Sequence, residues 1–283
     1  MTQKLPSETQ MGQVHLTVAS LDRSMAYYQR AIGLRLLGQD DTWHYLGCGQ
    51  TRLLALREQP NDRRIGRTTG LYHFALLLPS RQALARTLHH LLTNEIPLTG
   101  WSDHDVSEAI YLSDPDGHGI EIYRDRPRSD WSFPQGTLRM TVDPLDVEGI
   151  LGELPDPLPA WTGLPDETIM GHIHLHVAYM PATLDFYVNK LGFDLMTQYG
   201  TQASFVAAGG YHHHLGLNTW AGVGAPPPPP DALRLAWFEI RLPTMAALAQ
   251  VAERLNRHGL TLQKHENGYF VDDPSANRVL LCV

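Results

Sequence analysis

Gln13-Val14-His15-Leu16-Thr17-Val18 and His172-Ile173-His174-Leu175-His176-Val177 are two versions of one strand. Each alternates apolar and polar residues, the pattern of a strand with one buried face. Each leads into a helical stretch that closes on the same kind of sequence, Tyr27-Tyr28 to Ile32-Gly33-Leu34 in the first and Phe186-Tyr187 to Leu191-Gly192-Phe193 in the second. The offset is 159 residues from His15 to His174, and it is unchanged from Gly33 to Gly192. A constant offset across strand, helix and turn marks an internal duplication, and a repeat of this kind decides the architecture before any single motif does.

A second pair of segments repeats in the same way. Leu71-Tyr72-His73-Phe74-Ala75 and Leu235-Ala236-Trp237-Phe238-Glu239 each open a unit and run through Leu-Pro into an amphipathic stretch. Their ends match too: Tyr111-Leu112-Ser113-Asp114-Pro115-Asp116-Gly117 aligns with Phe270-Val271-Asp272-Asp273-Pro274-Ser275-Ala276, a strand followed by a Pro-containing turn. Each unit reads as strand, helix and three strands, so the chain is α+β, with four βαβββ modules beginning near residues 11, 70, 170 and 234. Paired in chain order they give an N-terminal domain over 1–126 and a C-terminal domain over 169–283. Residues 127–168, rich in Pro, Trp and Asp, form a linker packed over the surface. Pro226 to Pro230 reads as a stiff spacer, and Asn61-Asp62-Arg63-Arg64, with charges of both signs, as a solvated loop.

Composition narrows the function classes. The 283 residues are 43% hydrophobic and 18% charged, within the globular range. The net charge of -8, without a basic run, offers no footprint for nucleic acid or anionic lipid. No apolar run approaches the roughly 20 residues of a membrane span, and the N-terminus lacks a signal-like apolar core, so the expected compartment is the cytoplasm. Two distant cysteines, Cys48 and Cys282, exclude a disulfide framework or a Cys-ligated zinc. Any metal must be held by carboxylate and imidazole, and there are 15 histidines.

Strand alternation turns His15 away from Val14, Leu16 and Val18, and His73 takes the equivalent position in the second module. Glu121, between Ile120 and Ile122, lies on that module's last strand. A lone His or Glu on a half-buried sheet is more often an ordinary polar side chain. Three at matched positions form instead the two-imidazole, one-carboxylate set of non-haem Fe(II) oxygenases, which also suits Mn(II).

The stretch Ser102-Asp103-His104-Asp105-Val106-Ser107-Glu108-Ala109-Ile110-Tyr111-Leu112-Ser113-Asp114-Pro115-Asp116-Gly117-His118-Gly119-Ile120-Glu121 resembles the signature of extradiol ring-cleaving dioxygenases. The whole chain resembles the two-domain catechol-2,3-dioxygenase branch of the vicinal oxygen chelate superfamily. That resemblance implies two open-barrel domains, with His15, His73 and Glu121 binding Fe(II), or Mn(II), in the N-terminal one. It implies that His104 and Tyr111 line the site of a small aromatic diol that reacts with O2. A homo-oligomer is expected as well. One departure stands out. Ring-cleaving relatives usually carry a further acid-base His where this chain reads Thr51-Arg52-Leu53-Leu54-Ala55, so either His44 or a residue of the other half takes that role or the chemistry differs.

In the C-terminal half His174 matches His15, but Trp237 stands where His73 would be and Leu280 where Glu121 would be. Histidines are nonetheless dense there, and a second, subsidiary metal site built from His174, His214 and Glu239 is an expectation to test. Two other functions compete with ring cleavage. A glyoxalase-type isomerase or lyase usually takes four protein ligands, two of them Glu, and only one Glu is matched here. A metal-free sequestering protein would have no use for an intact His/His/Glu set.

Overall fold

The computed structural model describes residues 3–59 and 66–283; the charged stretch at 61–64 lies outside them. The four modules are present as read. The first contains β1 (Gln10–Val18), α1 (Leu21–Tyr27), β2 (Arg35–Gln39), β3 (His44–Cys48) and β4 (Thr51–Glu58). The second contains β5 (Gly70–Leu78), α2 (Arg81–Thr93), β6 (Gly100–Asp103), β7 (Ser107–Ser113) and β8 (Gly119–Asp125). A short helix, α3 (Val147–Leu151), lies in the connecting segment. The third module is β9 (Ile169–His176), α4 (Met180–Leu184), β10 (Asp194–Tyr199), β11 (Ala203–Ala207) and β12 (Leu215–Asn218). The fourth is β13 (Leu235–Arg241), α5 (Met245–Arg257), β14 (Gln263–His265), β15 (Gly268–Asp272) and β16 (Arg278–Cys282).

The helices begin and face as their sequences require. Ser80 Oγ accepts the Ala83 amide at the start of α2, and Thr244 Oγ1 accepts the Ala247 amide at the start of α5. Such caps satisfy amides that have no partner inside the helix. Leu84, Leu88 and Leu91 bury one stripe of α2, and Leu248, Val251 and Leu255 the matching stripe of α5.

The helices α1 and α4 widen into π turns, Tyr28–Ile32 and Asp185–Leu191, that end at Gly33 (φ 88°) and Gly192 (φ 100°). In each turn a fully buried tyrosine reaches the Pro-containing turn of another strand. Tyr28 donates to Asp114 Oδ2 at 2.9 Å, and Tyr187 donates to Asp273 Oδ2 at 3.1 Å. The Asp-Pro turns are thus structural anchors, repeated with the modules.

The chain divides into two compact units, each discontinuous in sequence: residues 1–17, 61–72 and 171–283 in one, 18–60 and 73–170 in the other. In the first, β1 pairs antiparallel with β13, His15 facing Trp237, and β13 continues through β16 and β15 to β14. Its other strands run β9, β12, β11, β10, with β9 and β12 parallel. In the second, β4, β3 and β2 form a meander, and β5 pairs in parallel with β8, followed by β7 and β6. Chain order made consecutive modules the natural partners; here the first strand of module one takes the first strand of module four as its neighbour. The repeat leaves this open, because all four leading strands carry a buried face that suits pairing.

Residues 127–168 lie against α2. Arg81 donates to Gly149 O at 3.0 Å and pairs with Asp146 and Glu153, while Trp161 stacks on His90 with ring centroids 4.3 Å apart. Among the described residues, no helix is long and apolar enough to cross a membrane.

Candidate metal centre

The second unit assembles part of the expected site on three neighbouring strands. His73 comes from β5 and Glu121 from β8, which pair in parallel with Ala75 opposite Glu121. Tyr111 on β7 lies directly across from Glu121. His73 Nε2 and Glu121 Oε2 are 3.0 Å apart, with the residues 6% and 2% exposed. Two ligands bound at about 2.1 Å and at right angles to one another leave their donor atoms about 3 Å apart. An imidazole nitrogen and a carboxylate oxygen approaching in this way fit a divalent Fe or Mn ion, and the donor set suits either.

The floor beneath this pair is tightly packed. Ala75, Ala109 and Tyr123 form a buried cluster, with Leu77 and Tyr111 packed on it. The ring of Tyr111 lies 5.6 Å from that of His73, and its hydroxyl is 2.7 Å from His104 Nε2. His104 Nδ1 lies 2.6 Å from the carbonyl of Thr141. A carbonyl only accepts, so Nδ1 donates to Thr141 and Nε2 is left facing the Tyr111 hydroxyl.

Asp105, at φ 66°, turns the chain between β6 and β7 just after His104. The linker also steadies this histidine: Asp143 exchanges backbone hydrogen bonds with Asp103, and the Thr141 amide donates to His104 O. Thr141 is absent from the sequence reading, since a main-chain acceptor 37 residues away leaves no local signal. Beside Tyr111 on β7, Glu108 is buried among Arg81, Arg124 and Arg126 and ties this strand to α2 and β8.

The first unit holds the remaining expected residues. His15 stacks on Trp237, centroids 4.1 Å apart, and its Nε2 lies 3.9 Å from Glu239 Oε1. Glu239 also accepts the Gln13 amide and pairs with Arg241. Burial raises the pKa of this carboxyl, but His15, Gln13 and Arg241 together outweigh burial and hold it below the usual range.

His174 lies on β9 opposite Gly216, where a Cβ would come within 2.7 Å of the imidazole. His214 Nδ1 accepts the Ala208 amide. The subsidiary set His174, His214 and Glu239 is not brought together: Glu239 lies on the β1–β13 sheet beside His15. Among the described residues, no group of three close metal-ligating side chains contains any of the three. The histidines of β9 pack instead with those before β12. His172 lies with its ring 4.1 Å from that of His213, whose Nδ1 is 2.7 Å from His212 Nδ1. His44, the candidate acid-base residue, is half-buried at the start of β3.

Fold and sequence together define the class. Residues 10–122 and 169–281 match the Glyoxalase/Bleomycin resistance protein/Dioxygenase superfamily, and the chain belongs to that family. It is 45% identical over 275 residues to a catechol-2,3-dioxygenase of Bacillus subtilis (strain 168), covering 94% of both chains. At that likeness over nearly its whole length, it is an oxidoreductase of the dioxygenase kind.

Solved structures agree on the fold. A provisionally assigned dioxygenase from Bacillus subtilis subsp. subtilis str. 168 superposes with a TM-score of 0.67 at 14% identity, over 99% of this chain and 86% of that one. Glyoxalase I from Zea mays superposes with a TM-score of 0.59 at 16% identity, over 97% and 92%.

Proposed function

We propose that this chain is an Fe(II)-dependent extradiol dioxygenase that opens catechol-type rings, and that His73, Glu121 and one further imidazole hold the iron. The observation that carries the reading is the buried His73–Glu121 pair, with Tyr111 and His104 ranged beside it. The catechol-2,3-dioxygenase relative supports the same chemistry.

The third place calls for one more imidazole. His15 is the one the repeat nominates, yet its ring is stacked on Trp237 and faces Glu239 as a counter-anion.

When bound, the iron supplies Lewis acidity toward two vicinal oxygens and an open position for dioxygen. The protein's own part is proton handling. Tyr111 is poised to take a proton from a diol hydroxyl while passing its own to His104 Nε2. The Thr141 carbonyl then holds the imidazolium through Nδ1. Because Tyr111 and His104 are already in contact, no side chain has to move for the transfer. The ring carbon–carbon bond beside the diol is broken, and both atoms of O2 end in the product.

Anaerobic loading with Fe(II), then addition of catechol and air, should yield the yellow ring-opened semialdehyde. Catechol and its alkyl derivatives all left intact by an iron-replete sample would sink the assignment. Iron retention on a desalting column should fall in Glu121→Gln by about 10-fold or more, since a lost ligand anion weakens the metal directly. His15→Gln should lose iron as severely if it supplies the third imidazole; iron held as tightly as in the parent would remove His15 from the ligand set.

A further inference from the structure

Two aspartates flank His104 in the turn between β6 and β7, and each is held from outside the turn by an arginine. Arg126, the residue after β8, pairs through Nη2 with Asp103 Oδ2 and lies 3.4 Å from Glu108 Oε1. Arg139 of the connecting segment pairs with Asp105 Oδ2 at 2.9 Å. The pairs differ in burial: the Arg126 and Asp103 side chains are 30% and 19% exposed, those of Arg139 and Asp105 57% and 40%. An exposed pair is screened by water and salt and holds its members weakly, whereas a half-buried pair is screened less.

Arg126 grips the turn twice. Its amide donates to Val106 O at 2.8 Å, and its guanidinium donates to the Asp103 carboxylate. The other oxygen of that carboxylate, Oδ1, accepts the Asp105 amide at 3.0 Å. An aspartate that takes the amide two residues on closes a local turn. This one supports the left-handed φ of 66° at Asp105, and His104 is the residue enclosed by the bond. Trp131 Nε1 donates to Arg126 O at 3.1 Å and secures the arginine's own backbone. Burial opposes the charge of this guanidinium, and Asp103 and Glu108 outweigh burial and raise its pKa above the ordinary arginine value.

Glu108 does not depend on Arg126, because Arg81 and Arg124 also pair with it. Asp103 does: among the described residues no other cation pairs with its carboxylate. Loss of the guanidinium therefore falls on the side of the turn that carries His104.

We propose that Arg126 is a positioning residue for the dioxygenase reaction, acting through Asp103 to hold His104 in hydrogen-bonding reach of Tyr111. This rests on the ring-cleaving function proposed above, with Tyr111 and His104 as its proton relay. The two side chains are 2.7 Å apart. A shift of about 1 Å breaks such a contact, and misplacement on that scale costs a reaction about 100-fold. Lysine at position 126 keeps the charge without the planar fork that reaches two carboxylates, so it retains part of the effect.

Oxygen-uptake kinetics with catechol on the iron-loaded parent, Arg126→Ala, Arg126→Lys and Arg139→Ala test this, with iron content measured in each. Arg126→Ala should lose about 30- to 100-fold in kcat, with KM and iron content little changed. Arg126→Lys, or millimolar guanidinium chloride added to Arg126→Ala, should recover about tenfold of that loss. Arg139→Ala removes only an exposed pair and should stay within about twofold of the parent. A readout independent of turnover is the Nδ1 proton of His104 in metal-free protein carrying isotopically labelled histidine, assigned by its loss in His104→Gln. Held by Thr141, it should be seen by NMR in the parent and in Arg126→Lys, and be lost to solvent exchange in Arg126→Ala. Should Arg126→Ala misfold, Asp103→Ala is the second probe and should show the same losses; full kcat there would overturn the inference. So would a kcat within about twofold of the parent in folded Arg126→Ala, a loss confined to KM or iron, an equal loss in Arg139→Ala, or an unmoved imidazole proton. If the parent opens no diol while that proton still vanishes in Arg126→Ala and returns in Arg126→Lys, the positioning role stands and the ring-cleaving reading falls.

Discussion

Removing the two buried tyrosine hydroxyls one at a time asks whether the Asp-Pro turns anchor the modules unequally. Asp114 Oδ1 accepts the amides of Asp116 and His118, while its Oδ2 accepts Tyr28 alone among these donors. Asp273 Oδ1 likewise accepts the amides of Ser275 and Asn277, but its Oδ2 takes both Tyr187 and Asn277 Nδ2. Deleting a hydroxyl that donates to a buried carboxylate costs about 1.5–3 kcal/mol, and more when the oxygen is left without another donor.

Tyr187→Phe should therefore cost about 1.5–2 kcal/mol, and Tyr28→Phe nearer 3 kcal/mol, because only Asp273 keeps a side-chain donor on the affected oxygen. At roughly 2–4 °C per kcal/mol for chains of this size, melting temperatures fall by about 4–8 °C and 6–12 °C. Thermal and urea unfolding followed by circular dichroism give both quantities. Equal losses in the two variants, or losses under about 0.5 kcal/mol, would refute the account of the turn in which donor count on the outer oxygen sets the cost.

Asp273 also provides a pH signature. Burial raises its pKa in the folded chain, so the stability linked to its neutral form is present in full below the unfolded value of 3.8 and is lost as pH rises through the folded value. Asp273→Asn has no charge to bury; its stability relative to the parent should improve steadily from pH 4 to pH 7, and a flat difference by urea titration would contradict this. Tyr111→Phe should lower kcat about 100-fold with a smaller change in KM, because the relay to His104 is cut; a change confined to KM in oxygen-uptake kinetics would limit Tyr111 to binding. Ala276 occupies the left-handed position (φ 61°) that Gly117 fills in the sister turn, so Ala276→Gly should raise stability by about 0.5–1 kcal/mol in the same urea assay, and a loss would count against strain there.

Much of this was legible in the sequence. The 159-residue offset predicts the duplicated strands and helices, and the βαβββ order holds in all four modules. Strand alternation sets His73 and Glu121 apart from apolar neighbours such as Phe74, Ile120 and Ile122, and the two strands that carry them pair in parallel. The dioxygenase-like stretch puts His104 within reach of Tyr111, since the two flank a single tight turn.

Two features were out of reach for a physical reason. Which leading strand hydrogen-bonds to which is settled by long-range packing, and all four carry the same alternation, so β1 beside β13 leaves no local trace. The Thr141 carbonyl carries no side-chain chemistry that a motif could encode. Glu239 shows a related limit: alternation gives the face of a residue but not the Arg241 and Gln13 groups that engage it.

The pairing of β1 with β13 bears on how the molecule is made. His15 and Trp237 lie opposite each other but are 222 residues apart in the chain. At about 5–20 residues added per second, the leading strand leaves the ribosome roughly 10–45 s before its neighbour exists. During that interval a strand edge of mixed polarity is open to solvent, and to other nascent chains on the same message. Synthesis speed and chaperone access should therefore govern the yield of active enzyme more than the intrinsic stability of the finished fold.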